Sequence, residues 1–167
     1  MTKIIYAAYG SNLLKERFMY YIKGGRYEGK DYPGCKDKED PVDLGYMFVP
    51  HRLYFAKKSQ RWDNEGVAFL NYETEENPKF HSLVRLWKIN EDQFDDVHKQ
   101  EGKSLYPLKV YLGEKDGIEI CTITGCWLNE ENKPSLLYIK KISMGIKETI
   151  NWSDKKIGEY LYKFIGK

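Results

Sequence analysis

Two stretches of this 167-residue sequence combine residue types that can do chemistry. In the first, Tyr9-Gly10-Ser11-Asn12, a glycine lies between an apolar run and a helical pattern, so backbone can approach a ligand closely. The N–H groups at a helix start favour an anionic oxygen, and a carboxylate would suit them. The same residues read equally well as a plain turn with Ser11 or Asn12 as N-cap. In the second stretch, Asn90 can cap a helix through Gln93; Phe94 and Val97 share one face, Glu101 follows Phe94 by seven residues, and Gly102 ends the pattern. That spacing turns Glu101 inward. A carboxylate so placed faces the negative end of the helix dipole and loses hydration. Both effects disfavour its charged form, which is the condition for general acid/base work near neutrality. The alternative is that Glu101 frays into solvent or pairs with Lys99, Lys103 or Lys109.

The elements that would position these residues can be read from periodicity. Ile4 to Tyr9 is a short apolar run, a buried strand, and Leu14, Phe18 and Tyr21 then mark one helix face ended by Gly24-Gly25. Residues from about 23 to 45 carry glycines, prolines and charges without periodicity, so they read as a long loop or lid, or as the cover of a short element. Strand candidates follow at Arg52 to Lys57, Gly66 to Tyr72 and Ser82 to Ile89. After the Asn90 helix, Leu108 to Leu112 and Ile118 to Leu128 form a hairpin through Asp116-Gly117. Pro134 suits a helix's first turn, with Ile139, Ile142 and Ile146 on one face, and Ile157, Tyr160, Leu161, Phe164 and Ile165 mark a last helix. Strands mixed with helices, without regular βαβ alternation, indicate an α+β fold with a curled or barrel-like sheet in one domain spanning 1–167.

Composition removes several classes of function. Aromatic residues are 15% of the chain, too many for a disordered protein. A net charge of +2 spread along the chain argues against nucleic acid and acidic membranes as partners. No run approaches the ~18 apolar residues of a membrane span, and no signal peptide is evident. Three cysteines, Cys35, Cys121 and Cys126, include no Cys-x-x-Cys pair, which suits a reduced, cytoplasmic protein; Cys121 and Cys126 would point to opposite faces of a strand. His51, His81 and His98 lack metal-ligand spacing, so no metal is expected.

Tyr6-Ala7-Ala8-Tyr9-Gly10-Ser11-Asn12-Leu13 with Arg17 resembles the opening signature of the gamma-glutamyl cyclotransferase-like family, and Gln100-Glu101-Gly102 resembles its catalytic Glu-Gly element. His51-Arg52-Leu53 with Phe55, Gly66-Val67-Ala68, and Pro134-Ser135 with Tyr138, Ile142 and Gly145 resemble later blocks in the same order. The resemblance implies a small mixed β-barrel flanked by helices. It also implies conversion of a γ-glutamyl amine or amino acid to 5-oxoproline with release of the amine, without cofactor or metal. Carried over by position, Tyr6, Tyr9, Gly10, Ser11 and Asn12 would bind substrate, Tyr138 would line the cavity, and Glu101 would be the general acid/base. The chain departs from the family's pattern at Arg85 or Trp87, where a glycine is common on the strand before the catalytic helix, and at Ile146-Lys147-Glu148-Thr149 after the Pro134-Ser135 helix. A binding or regulatory module that keeps the pocket without turnover is the alternative, and a homodimer is left open. The charged 23–45 segment is the feature that could serve a partner.

Overall fold

A computed structural model describes residues 2–59, 62 and 64–165. In chain order the elements among them are β1 (Lys3–Ala8), α1 (Lys15–Lys23), β2 (Gly25–Tyr27), β3 (Lys30–Tyr32), β4 (Val42–Val49), β5 (Leu53–Ser59), β6 (Glu65–Leu70), β7 (Ser82–Asn90), α2 (Glu91–Glu101), β8 (Leu108–Lys115), β9 (Ile118–Thr124), α3 (Leu136–Ile150) and α4 (Asp154–Tyr162).

The apolar run Ile4 to Ala8 becomes the buried centre of a five-stranded mixed sheet ordered β4-β7-β1-β9-β8. Strand β1 pairs antiparallel with β7, from Lys3 opposite Asn90 to Ala8 opposite Arg85, and parallel with β9 at Ile5–Ile120 and Tyr6–Cys121. A strand covered on both faces can be apolar throughout, as this one is. The α+β class holds, but the barrel does not: β4 and β8 remain edges, and β5 and β6 form a separate two-stranded ladder. The chain leaves the main sheet at Pro50-His51, where the His51 N–H donates to the Val49 carbonyl (2.8 Å).

The 23–45 segment conceals the β2–β3 hairpin and the start of β4. The hairpin turns at Glu28 and Gly29, both at positive φ. Strands of three residues are too short to show alternation, which is why the sequence reads as loop. Tyr27 and Tyr32 fix the hairpin against Tyr20, at ring-centroid distances of 4.7 and 6.2 Å.

Helix α2 has the expected capping box: Asn90 accepts the Gln93 N–H (2.8 Å) and Gln93 accepts the Asn90 N–H (3.0 Å), with Gly102 at positive φ as C-cap. Strand β9 stops at Thr124, short of Leu128. Cys121 is therefore in the strand, whereas Cys126 lies beyond it and is exposed. Ser135 caps α3 by accepting the Tyr138 N–H (3.1 Å), and Pro134 sits one residue ahead of that cap, bridged to Gly66.

Candidate active site

Beyond β1 the chain does not run straight into α1. Ser11–Leu13 make a single 3-10 turn, Leu14 is extended, and α1 begins at Lys15. The expected helix-end anion site is thus not the N-terminus of α1. Nor is Ser11 or Asn12 its N-cap, because no side chain caps either helix start. The turn's own hydrogen bonds use the N–H groups of Leu13 and Leu14, so those of Ser11 and Asn12 are not consumed by it.

Distant elements pin this loop. Trp87 of β7 donates its indole N–H to the Asn12 carbonyl (3.2 Å), and Arg85 donates to the Leu13 carbonyl (2.8 Å). Arg85 is itself held by Asp43 and by Glu148 of α3, and the same Glu148 accepts the Lys15 N–H (2.8 Å) that opens α1. A Cβ at Gly145 would lie 2.6 Å from both Leu13 Cβ and the Leu14 nitrogen, so only glycine lets α3 pack this closely on the loop. Arg85, Trp87 and Glu148 thus hold the loop in place.

Glu101, the last residue of α2, turns inward as its spacing predicts. It accepts a hydrogen bond from Asn12 Nδ2 (2.9 Å), while Lys99 and Lys103 pair with Asp95 and Lys109 lies over the Phe94 ring. Asn12 also donates to the Tyr6 hydroxyl (3.3 Å), and its buried Oδ1 has no partner.

All seven residues singled out from the sequence, Tyr6, Tyr9, Gly10, Ser11, Asn12, Glu101 and Tyr138, line one small pocket. Ala68, Tyr106 and Ile123 complete it. Sequence reasoning assigned these three no role. Tyr106 falls in the aperiodic segment after Gly102, tied back by its N–H to the Gly102 carbonyl (2.8 Å), and no pattern marks such a position. An outer chamber shares Ser11, Glu101, Tyr106 and Tyr138 with this pocket and extends to Arg17, Lys58 and Trp62, so Glu101 stands where the two meet.

The walls are phenols held neutral. Tyr9 donates to the Ile123 carbonyl (2.7 Å) and Tyr106 to the Ala68 carbonyl (3.2 Å); Tyr138 accepts the Ala68 N–H (3.0 Å), which leaves its own proton to donate. Burial first, with the nearby Glu101 charge contributing, pushes the phenols of Tyr6, Tyr9, Tyr106 and Tyr138 well above their ordinary range. Glu101 is the sole carboxylate among the described residues lining either chamber. Arg17, buried in the first turn of α1, donates to Ser11 Oγ (2.7 Å), Tyr32 (2.7 Å) and Tyr21 (3.2 Å). The site can therefore offer one proton-exchanging group, polar donors and a cationic flank. No group of three or more His, Cys, Asp or Glu residues suited to a metal occurs among the described residues, and none of their helices is long and apolar enough to cross a membrane.

Fold and site together define a small α+β domain built around a pocket in which Glu101 is the one carboxylate among the described residues. No protein-family model matches the chain. Gamma-glutamylcyclotransferase from Bos taurus is 30% identical over 148 residues, 86% of this chain and 70% of that protein. On that likeness the chain belongs to the gamma-glutamylcyclotransferase family. Histone deacetylase 5 from Arabidopsis thaliana is 39% identical over 99 residues, 58% of this chain, but the shared segment is only 15% of that much longer protein. Among solved structures, a gamma-glutamyl cyclotransferase superposes with a TM-score of 0.70 at 23% identity, covering 98% of this chain and 88% of its own. The uncharacterized Homo sapiens protein loc79017 gives 0.68 at 22% identity, covering 99% and 89%. These two structural likenesses bear on the fold.

Proposed function

We propose that the chain is an enzyme that cyclises a γ-glutamyl amine or amino acid to 5-oxoproline and releases the amine, with Glu101 as general acid/base. The observation that carries this reading is the pocket's lone carboxylate, oriented by Asn12 at 2.9 Å among neutral phenols. The substrate brings its own nucleophile, so one proton-exchanging group suffices. Glu101 takes a proton from the α-ammonium, and the freed nitrogen attacks the γ-carbonyl carbon, closing the five-membered ring as a tetrahedral oxyanion. The bond to the departing nitrogen then breaks as that nitrogen takes the proton from Glu101; the regenerated carboxylate accepts the second proton of the ring nitrogen, leaving the neutral lactam, and passes it to the released amine, which departs as an ammonium. The Ser11 and Asn12 N–H groups and the Tyr138 hydroxyl are the donors for the oxyanion or the substrate carboxylate, and Tyr6, Tyr9 and Gly10 shape the folded substrate.

The test is incubation of the protein with γ-glutamyl amino acids, γ-glutamyl-ε-lysine and glutathione, followed by detection of 5-oxoproline. Product from at least one supports the enzyme. Tight binding of a small acid with no product from any would establish a non-catalytic binding module instead.

A further inference from the structure

We propose that a second cavity, apart from both chambers of the candidate active site, binds a free α-amino acid with an apolar side chain, its carboxylate at Arg52 and Lys163 and its ammonium at Glu131. The cavity measures about 230 Å³ and shares no lining residue with either chamber. A cavity of ~150 Å³ already holds benzene, so one small molecule fits. Three parts of the chain meet here. Arg52 and Leu53 stand at the start of β5, and Asn71, just past β6, is tied to them by its N–H on the Arg52 carbonyl (2.8 Å). The segment after β9 brings Leu128 and Glu131, the latter bridged to Ala56 of β5, and the end of α4 brings Lys163 and Phe164. Binding there is independent of the cyclisation proposed above.

Opposite charges line this cavity without pairing with each other. Arg52 lies over the Phe80 ring at 3.8 Å, and its one carboxylate partner among the described residues, Glu75, stands at 4.0 Å, beyond hydrogen-bond length. The guanidinium fork is therefore open to a carboxylate. Lys163 donates to the Lys79 carbonyl (2.6 Å), which uses one of its three N–H groups, and it has no ion-pair partner among the described residues. Burial first and the charge of Lys79 second lower its pKa from the ordinary lysine value, and an arriving anion offsets both effects. Asn71 spends its Oδ1 on the Glu73 N–H (3.0 Å) and keeps its amide donors for the same anion. Glu131 is exposed, and no cation among the described residues pairs with it, whereas its neighbour Glu130 is taken by Lys57 at 3.1 Å. Two cations and one carboxylate around one cavity match a zwitterion. A plain acid would leave Glu131 unanswered, and an amine without a carboxylate would meet two like charges. The remaining wall is apolar: Leu53 and Phe164 are buried, and Leu128, 48% exposed, gains cover when an apolar side chain lies on it.

The experiment is a titration of the isotope-labelled protein, followed by backbone amide chemical shifts, with L-leucine and three analogues that each lack one feature. L-leucinamide lacks the carboxylate, N-acetyl-L-leucine the ammonium, and glycine the side chain. L-leucine is expected to shift Asn71, Leu128 and Phe164 with a Kd of about 1 mM or below, and each analogue to bind at least about fivefold more weakly. Glu131→Gln, a change at an exposed side chain, should bring L-leucine and N-acetyl-L-leucine within about twofold of each other, and Lys163→Gln should shrink the advantage of L-leucine over its amide at least about twofold. Glu101→Gln should leave the affinity for L-leucine unchanged, which separates this cavity from the candidate active site. Shifts confined to Gly10, Glu101 and Tyr138, equal affinities for L-leucine and its analogues, a preference indifferent to Glu131→Gln, or no saturable shift with any compound would overturn the site. None of these readouts uses release of 5-oxoproline, so the cyclisation stands or falls by its own test.

Discussion

The contact between Asn12 and Glu101 joins residues 89 positions apart and holds the carboxylate in the pocket. The amide fixes one carboxylate oxygen, Oε1. Asn12→Ala should lower kcat about tenfold or more while circular dichroism stays unchanged, because it removes orientation and leaves the acid in place. A variant with wild-type kcat would show that Glu101 needs no such anchor. Gly10 sets the size of the pocket: a Cβ there would sit 3.2 Å from the Tyr138 hydroxyl and 3.3 Å from Ala68 Cβ. Gly10→Ala is expected to raise KM about tenfold, since the space a Cβ would take is the ligand's. An unaltered KM with a falling Tm would mean that the crowding is relieved by the fold instead. Glu101 was legible because a helical period and a stop glycine are local facts. Its pairing with Asn12, and the embrace of Arg17 by Tyr32, depend on which distant segments meet, and no spacing in the sequence encodes that.

The loop carrying Ser11 and Asn12 is shaped by elements it does not belong to. Strand β7 supplies Arg85 and Trp87 to its carbonyls, and α3 lies on it through Gly145. Gly145→Ala would force Leu13 and Leu14 aside and should cost about 2 kcal/mol of stability, with activity falling further than the fraction unfolded explains. Chemical denaturation alongside specific activity of the folded fraction separates the two; equal losses would place Gly145 in packing alone. The strongly periodic elements, α1, α2 and the β8–β9 hairpin with its Asp116-Gly117 turn, could be read from residue pattern because their signals are internal. The three-residue strands β2 and β3 have no period to show, and the edge strand β4 leaves Tyr46 and Phe48 exposed, which breaks the usual alternation. Whether a sheet closes is a relation between its first and last strands. A barrel was therefore expected where an open sheet with a separate hairpin stands.

Over the whole molecule, the aromatic surplus is divided between core and pocket wall. Burial raises the phenols of Tyr6, Tyr9, Tyr106, Tyr138 and Tyr160 above their unfolded value near 10. A group raised in the folded state gives its full stability below the unfolded pKa. That stability is lost as pH climbs past about 10, by about 1.4 kcal/mol per phenol per pH unit. Tyrosinate absorbance from these rings should thus appear together with the loss of circular dichroism, in one transition; ionisation well before unfolding would mean that the pocket admits water freely. The family follows from a relative that covers most of the chain, and the activity turns on whether this pocket's one carboxylate moves protons. The direct measurement is release of 5-oxoproline from γ-glutamyl-L-alanine by wild-type protein and by Glu101→Gln, with ligand affinity and Tm recorded for both. Wild-type turnover with a loss of at least about a hundredfold in the variant, at similar affinity and Tm, is the predicted result; turnover unchanged by the substitution would contradict the account.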